Sequence, residues 1–174
     1  MLIIHSVQKL LNTSRLSASL YVTQPNQGQH LHSWYARLLA TSFRGKMLVM
    51  YVHEPSLLVV VCKGKTIQGT WEVFLGRLER LLSRFQFPDD FIKAELSQVE
   101  RYIVSKTNSK SMLASMNQII FELEYDCTRF DDFDEIPLDW LEDKMMDRPH
   151  QTGKTWRDYM SPQGYWQKEI GLAT

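Results

Sequence analysis

Two short apolar segments on either side of a three-residue turn constrain the fold of this chain more than any other feature. Met47–His53 and Leu57–Cys62 are rich in Val, Leu and other residues that favour strands, and Glu54-Pro55-Ser56 lies between them. Two such segments joined by a short turn predict a β-hairpin. We expect this hairpin to form the centre of a mainly antiparallel sheet.

The clearest helical pattern lies between Thr70 and Phe85. Apolar side chains recur there at intervals of three and four residues, which places them in one stripe along a helix that we expect to pack on the sheet. The stripe consists of Trp71, Phe74, Leu75, Leu78, Leu82 and Phe85. Pro88 ends this helix, and further patterns predict helices at about Phe91–Ser97 and Met112–Tyr125.

Short segments at Leu2–Ile4, Leu20–Val22 and Glu100–Val104 have the character of β-strands. Strands and helices do not alternate regularly, which favours an α+β fold over a doubly wound sheet. The length of 174 residues fits a single domain, in which we expect about three helices to cover the sheet. Residues 145–174 contain several Pro and Gly and are expected to be irregular. Their aromatic residues, expected to fasten this region to the domain, are Trp156, Tyr159, Tyr165 and Trp166.

The net charge of zero conceals an uneven distribution of charge along the chain. Residues 1–110 contain 14 Lys and Arg against 7 Asp and Glu, whereas residues 111–174 contain 6 against 13. Most of these acids lie between Glu122 and Asp143, a stretch that we call the acidic segment. Aromatic and apolar residues interleave with its acids, which argues against a purely solvated tail.

Three interpretations of the acidic segment are open at this point. It can be a solvated face, it can lie across the basic part of its own chain, or it can offer Glu122–Trp140 to a basic protein partner. We expect it to fold back, so that residues 1–125 form an α+β core domain and residues 126–174 an acidic and aromatic extension packed on it. The basic residues that it is expected to meet are Arg77, Arg80, Arg84 and Arg101.

A run of small polar and basic residues between a predicted strand and a predicted helix is a candidate for anion binding. Backbone N–H groups at the start of a helix, together with hydroxyls and lysines, suit phosphate. The candidate residues are Lys106, Thr107, Asn108, Ser109 and Lys110, with Arg77, Arg80 and Arg84 as a second basic row. The alternative is a helix cap at Asn108 or Ser109 beside solvated lysines. The run contains no glycine, so it is not a P-loop.

A second candidate site is a polar pocket where the first strand leads into a helix. Its residues would be His5, Lys9, Trp34, Arg37 and Asn117. One imidazole and one amine do not make a known catalytic set, so we assign no catalytic residue. Glu54 would face away from His53 in the strand, and no other Asp, Glu or Cys lies close in sequence to complete a metal site with His30, His32 or His53. We therefore expect neither a metal nor a cofactor.

The location of the protein is expected to be the cytoplasm, without membrane attachment. The longest apolar run, Leu57–Cys62, is far too short to cross a bilayer. The N-terminus lacks the basic and apolar regions of a signal peptide. Cys62 and Cys127 cannot form a disulfide framework, which favours a reducing compartment.

Four stretches of this chain occur in an order and spacing that is known from a protein family. They are Ile3-Ile4-His5 with Lys9-Leu10-Leu11, then Ser33-Trp34-Tyr35-Ala36, the hairpin from Leu48 to Val61, and Lys106–Ser111 followed by Met116-Asn117. Over residues 1–125 the chain resembles an uncharacterised family of small bacterial proteins, a domain of unknown function. The resemblance implies a small intracellular prokaryotic protein and supplies neither a settled activity nor catalytic residues.

These observations leave three functions open. We favour a non-catalytic binding or regulatory module that recognises nucleic acid or another phosphate-bearing partner through its basic residues. The alternative is a protein–protein interaction domain that uses Glu122–Trp140. The weakest hypothesis is an enzyme with a pocket around His5, Lys9 and Arg37. A basic groove that the acidic segment leaves uncovered would favour the first function, and a covered basic face would favour the second.

Overall fold

The computed structural model describes residues 1–21, 24–152, 155 and 158–172. Within these residues the chain forms a five-stranded mixed sheet, a two-stranded sheet and six α-helices, which confirms the predicted α+β class. The strands are β1 (Leu2–Ser6), β2 (Ser33–Ala40), β3 (Met47–His53), β4 (Val59–Lys63), β5 (Tyr102–Lys106), β6 (His150–Gln151) and β7 (Tyr159–Met160). The helices are α1 (Gln8–Ser14), α2 (Ile67–Arg84), α3 (Asp89–Ser97), α4 (Lys110–Cys127), α5 (Leu138–Met146) and α6 (Pro162–Ile170).

The large sheet has the strand order β4-β3-β2-β1-β5. β3 pairs antiparallel with β2 and β4, which confirms the hairpin, whereas β1 pairs parallel with both β2 and β5. The prediction that the hairpin forms the centre of a mainly antiparallel sheet is wrong, because the parallel strands extend the sheet on one side and leave β4 at the other edge. Local patterns do not reveal pairing between segments as distant as β1 and β5.

Helices cover both faces of the large sheet, and successive residues of each strand point to opposite faces. Trp34 of β2 lies in the apolar core beneath α1, α2, α3 and α6. Its neighbour Tyr35 lies in the second core, beneath α4 and α5. As a result, the helices that follow β1 and β5, namely α1 and α4, lie on opposite faces of the sheet.

The long helix α2 forms as predicted and packs its apolar stripe on the sheet. The buried residues of the stripe include Trp71, Phe74, Leu78 and Leu82. The helix begins at Ile67, earlier than predicted, because the side chain of Thr66 accepts a hydrogen bond from the N–H of Gly69 and caps it. Gly64, just before it, has a φ of +152°, and a Cβ there would lie 2.5 Å from Cγ2 of Thr70. The turn from β4 into α2 therefore requires glycine.

The other predicted elements of the first part form close to their expected positions. α3 and α4 begin two residues earlier than the patterns indicate, and β5 extends to Lys106. The sequence pattern missed β2, which lies at the middle of the sheet. In the strand expected at Leu20–Val22, Val22 lies outside the described residues, while Leu20 and Tyr21 are exposed and belong to no strand.

The C-terminal region is more regular than predicted, because it contains the end of α5, the strands β6 and β7 and all of α6. Pro162 begins α6, where its missing N–H costs no hydrogen bond, and Ser161 caps the helix through the N–H of Gly164. Trp166 is fully buried and stacks on His53 with the ring centroids 5.6 Å apart, so this residue does fasten the region to the domain. Tyr159 is exposed, contrary to the prediction. Trp156, predicted to play the same part, lies outside the described residues.

Candidate functional site

The basic row of α2 and the acidic residues of α5 form one ion-pair network, which we call the arginine–carboxylate network. Its members are Arg77, Arg80 and Arg84 and Asp139, Glu142 and Asp143, with N···O distances of 2.6 to 3.4 Å. The prediction that the acidic segment folds back on these three arginines is confirmed. The fourth expected residue, Arg101, is exposed before β5, outside this network.

Glu142 lies at the centre of the network and is fully buried. Its Oε1 accepts hydrogen bonds from the backbone N–H of Val61 at 3.0 Å and from Nε of Arg77 at 2.9 Å. Burial raises the pKa of the Glu142 carboxyl group, against the opposing effect of these donors. Burial lowers the pKa of Arg77, but its bonds to Glu142 and Asp139 outweigh burial and raise it. The network therefore holds α5 against α2 and β4.

Other carboxylates of the acidic segment are also bound within the chain. Arg148 donates to Glu122 at 2.5 Å, and Lys144 donates to Asp126 at 2.5 Å. The hydrogen bond from Arg148 lowers the pKa of Glu122. Consequently the arginine row, which the sequence offered as a candidate for anion binding, is paired with carboxylates of its own chain. Several carboxylates of the acidic segment, which the sequence offered to a basic protein partner, are likewise paired within the chain.

A different set of basic residues gathers where the strands of the large sheet end. β1, β2, β4 and β5 all finish at this end, which we call the carboxyl end, and β3 begins there. Its basic residues are Lys9, Arg37, Arg44, Lys46, Lys63, Lys65, Lys106 and Lys110. Within the part of the chain that the structure describes, only Lys63 of this set pairs with a carboxylate, at 3.9 Å from Asp134. The carboxyl end is therefore strongly basic.

The first recess at the carboxyl end has a volume of about 670 Å³. It is lined by Gln8, Leu11 and Asn12 of α1, by the loop Leu16–Leu20 and by Ser105–Asn108 at the end of β5 and just after it. The N–H of Ser19 donates to the carbonyl of Val104 at 2.7 Å and holds the loop against β5. The recess opens between β1 and β5, where α1 and α4 diverge to opposite faces of the sheet.

The predicted connection between β5 and α4 forms at this recess. Ser109 caps α4 by accepting a hydrogen bond from the N–H of Met112 at 3.2 Å. The hydroxyl of Tyr35 donates to Oδ1 of Asn108 at 2.6 Å and ties the connection to β2. Thr107 is half-buried, whereas Lys106 and Lys110 are exposed. The five candidate residues thus lie together, with the two ammonium groups free of carboxylate partners among the described residues.

The predicted pocket around His5 is divided by the sheet. His5 is buried, stacks on Tyr35 at 4.7 Å and contacts the carbonyl of Lys106 through Nδ1. Trp34 lies on the opposite face and donates to the carbonyl of Leu31, so it cannot share a pocket with His5. This expectation was wrong because adjacent residues of a strand point to opposite faces.

Three other predicted pocket residues lie near a second recess, of about 290 Å³. Lys9 and Arg37 line it together with Glu124, and Arg37 donates a hydrogen bond to Oδ1 of Asn117. Glu124 accepts from the backbone N–H of Ala40 at 3.1 Å. The second recess therefore presents two cations beside one carboxylate that is already hydrogen-bonded.

A third recess, which the sequence did not indicate, lies between the start of β3 and the end of β4. Its volume is about 330 Å³, and Phe133 forms its floor. The ammonium groups of Lys46 and Lys63 lie 5.3 and 5.2 Å from the centre of the Phe133 ring, which is the geometry of a cation–π contact. The only sequence signal was the position of these lysines at the open ends of the hairpin.

The carboxyl end offers positive charge and hydrogen-bond donors rather than a nucleophile. Burial raises the pKa of Cys62 to about 12 and that of Cys127 to about 11, so both thiols stay protonated. Among the described residues, no group of His, Cys, Asp and Glu is arranged to hold a metal. None of the described helices has the length and apolar character needed to cross a bilayer.

The fold and the site together define an α+β protein with a mixed sheet and a basic surface at the carboxyl ends of its strands. The chain belongs to the family described as domain of unknown function DUF6933, which matches residues 3–165. No curated protein matches the chain. The resemblance expected from the sequence is confirmed, but the family extends well beyond residue 125 and includes both α5 and the beginning of α6. The division into a core and an extension at residue 125 stays a prediction.

Proposed function

We propose that this protein is a non-catalytic binding module for a phosphate-bearing ligand, which docks in the first recess. One observation carries the proposal: α1 and α4 leave the ends of neighbouring parallel strands toward opposite faces and open a recess there. Ligands of open α/β sheets bind at such a point, where the direction of strand order reverses. A volume of about 670 Å³ lies within the usual range of ligand sites.

The chemistry of the recess favours an anion. Lys106 and Lys110 supply two ammonium groups, and the start of α4 adds the positive end of the helix dipole. Thr107 adds a hydroxyl group at the same place. Because the side chains of Asn108 and Ser109 are hydrogen-bonded to Tyr35 and Met112, they hold the connection in shape.

Titration of ¹⁵N-labelled protein with adenosine 5′-monophosphate tests this proposal. We expect the amide signals of residues 105–112 to shift, and we expect Lys106→Ala/Lys110→Ala to weaken the affinity about tenfold or more, since two charge-assisted contacts are lost. The matched control is Lys93→Ala/Lys168→Ala, which removes exposed lysines of α3 and α6. Shifts that are absent, or equal in both double variants, would contradict the proposal.

Protein–protein interaction is a second candidate, because exposed aromatic side chains occur on α4 and α5. Phe121 is 76% exposed, Tyr125 62% and Trp140 40%. Large exposed apolar groups that lie together are typical of interaction surfaces. Recovery of a defined partner by the protein, and its loss in Phe121→Ser/Tyr125→Ser with unchanged thermal stability, would support this candidate. Equal recovery by both forms would exclude this surface.

A further inference from the structure

We infer that the ligand of the carboxyl end is a single strand of nucleic acid that lies across all three recesses. The inference rests on the proposed function of the first recess and identifies the class of its ligand. It further assigns the second and third recesses to the same binding surface. Its support comes from the continuity of the three recesses, from their spacing and from the alternation of charged and apolar groups along them.

The three recesses adjoin one another along the carboxyl end. Gln8 lines the first recess, and its chain neighbours Val7 and Lys9 line the second. Met47 lines both the second and the third recess. Since strands lie about 4.8 Å apart, the five strand ends extend over roughly 19 Å. A ligand with one phosphate would occupy only part of this surface, whereas an oligonucleotide presents several phosphates over such a length.

Basic groups occur at each part of this surface. Lys106 lines the first recess and Lys110 follows at the start of α4. Lys9 and Arg37 line the second recess, and Lys46, Lys63 and Lys65 line the third. In the third recess the ammonium groups of Lys46 and Lys63 both lie close to the ring of Phe133. A polyanion of regular charge spacing matches this distribution better than a compact anion does, and each neutralised phosphate releases counterions.

Apolar side chains lie between these charges. Leu16 and Leu20 line the first recess, and Leu38 and Ile120 line the second. The exposed bases of a single strand can enter such recesses, whereas the bases of a duplex are stacked inside it. Asp134 lines the third recess, and a duplex would bring a second phosphate backbone toward this carboxylate and its acidic neighbours. These features favour a single strand.

Fluorescence anisotropy with 5′-labelled oligothymidylates, from a dinucleotide to a decanucleotide, tests the inference. We expect the affinity to rise at least about tenfold over this series, because each base that reaches another recess adds stacking or apolar contact. The dependence on salt should also steepen with length, by a slope of about 0.7 for each phosphate bound. A self-complementary duplex of the same length should bind more weakly than the single strand.

Variants at the far end of the surface separate this inference from the proposed function. Arg44 and Lys65 are exposed, and Lys65 lines the third recess. Arg44→Ala/Lys65→Ala should weaken binding of the decanucleotide about fivefold or more and leave that of the dinucleotide unchanged, while Lys93→Ala/Lys168→Ala should affect neither.

Equal affinity for all lengths, with no effect of Arg44→Ala/Lys65→Ala, would overturn the inference and leave the proposed function standing if adenosine 5′-monophosphate still binds. Tighter binding of the duplex would also overturn it. Failure of every oligonucleotide and of the mononucleotide to bind would overturn both.

Discussion

Arg77 and Lys106 carry the same charge, but the structure gives them opposite surroundings. Arg77 lies between α2 and α5, where it binds two carboxylates at 2.7 and 2.8 Å. Lys106 lies at the carboxyl end of the sheet, exposed and, among the described residues, without a carboxylate partner. The net charge of a chain therefore does not tell which of its cations are available to bind a ligand. The arginine–carboxylate network serves stability, whereas we assign the carboxyl end to binding.

Replacement of Arg77 should cause the largest loss in the free energy of unfolding. Arg77→Met leaves the buried carboxylate of Glu142 with fewer charged partners, and such a change costs about 3 kcal/mol or more. The measurement is the free energy of unfolding from urea titration. Arg77→Met/Glu142→Gln should recover part of the loss, because position 142 then carries no buried charge while the acceptor for the Val61 N–H remains. A loss below about 1 kcal/mol in the single variant would contradict the stabilising role.

Two buried histidines, which belong to neither set of cations, should make the protein less stable in acid. Burial lowers the pKa of His53 from its ordinary value of 6.5 to about 3, and that of His150 to about 4. The unfolded chain therefore binds protons that the folded one does not, so stability is full above pH 6.5 and falls as the pH drops. For His53 we expect a loss of about 2 kcal/mol between pH 6.5 and 5.

Unfolding curves recorded across this pH range measure the effect. His53→Asn should flatten the dependence whatever its stability at neutral pH, and His30→Asn serves as a control that keeps most of it. An unchanged pH dependence in His53→Asn would show that His53 does not cause the loss.

Arg80 belongs to the same network as Arg77 but is much more exposed to solvent. Its side chain is 64% exposed and, among the described residues, pairs only with Asp139, which is also partly exposed. Exposed ion pairs contribute about 0–1 kcal/mol, so Arg80→Ala should lower the free energy of unfolding by no more than that, and less at high salt. A loss as large as that of Arg77→Met would mean that burial does not decide the contribution of these arginines.

The smallest effect on stability is expected at the carboxyl end. Lys106→Ala/Lys110→Ala removes two exposed cations, and we expect the free energy of unfolding to change by less than about 0.5 kcal/mol. Thermal unfolding followed by circular dichroism measures it. A clear destabilisation would contradict the assignment of these lysines to binding and return them to a structural role.

The sequence was informative where one local pattern determines the structure. The apolar stripe of α2 and the hairpin depend on residues close together in the chain, and both were predicted. The cap at Ser109 is equally local, and a cap at Asn108 or Ser109 was one of the two interpretations of that run. The folding back of the acidic segment was predictable from a different signal, namely charge of opposite sign combined with aromatic residues that needed burial. Tryptophan, phenylalanine and leucine between the acids provided that signal.

Features that depend on distant pairing were not predictable. The place of β1 between β2 and β5 decides where the first recess opens, yet β1 is a five-residue segment with no partner near it in sequence. The third recess joins Lys46 and Lys63 to Phe133, which lies far from both lysines in the sequence. Trp34 was misplaced because β2 itself was not recognised, so the alternation of its side chains could not be applied.

The hydrogen bond between Glu142 and Val61 has a consequence for association between molecules. β4 is the outermost strand on its side of the sheet, and an uncovered strand of this kind can pair with a strand of another copy and begin aggregation. The carboxylate occupies the outward N–H of Val61, while Leu141 and Met145 join one core and Met146 the other, so that α5 wraps around the strand. We expect this helix to hinder strands of neighbouring copies from pairing with the β4 edge of the sheet.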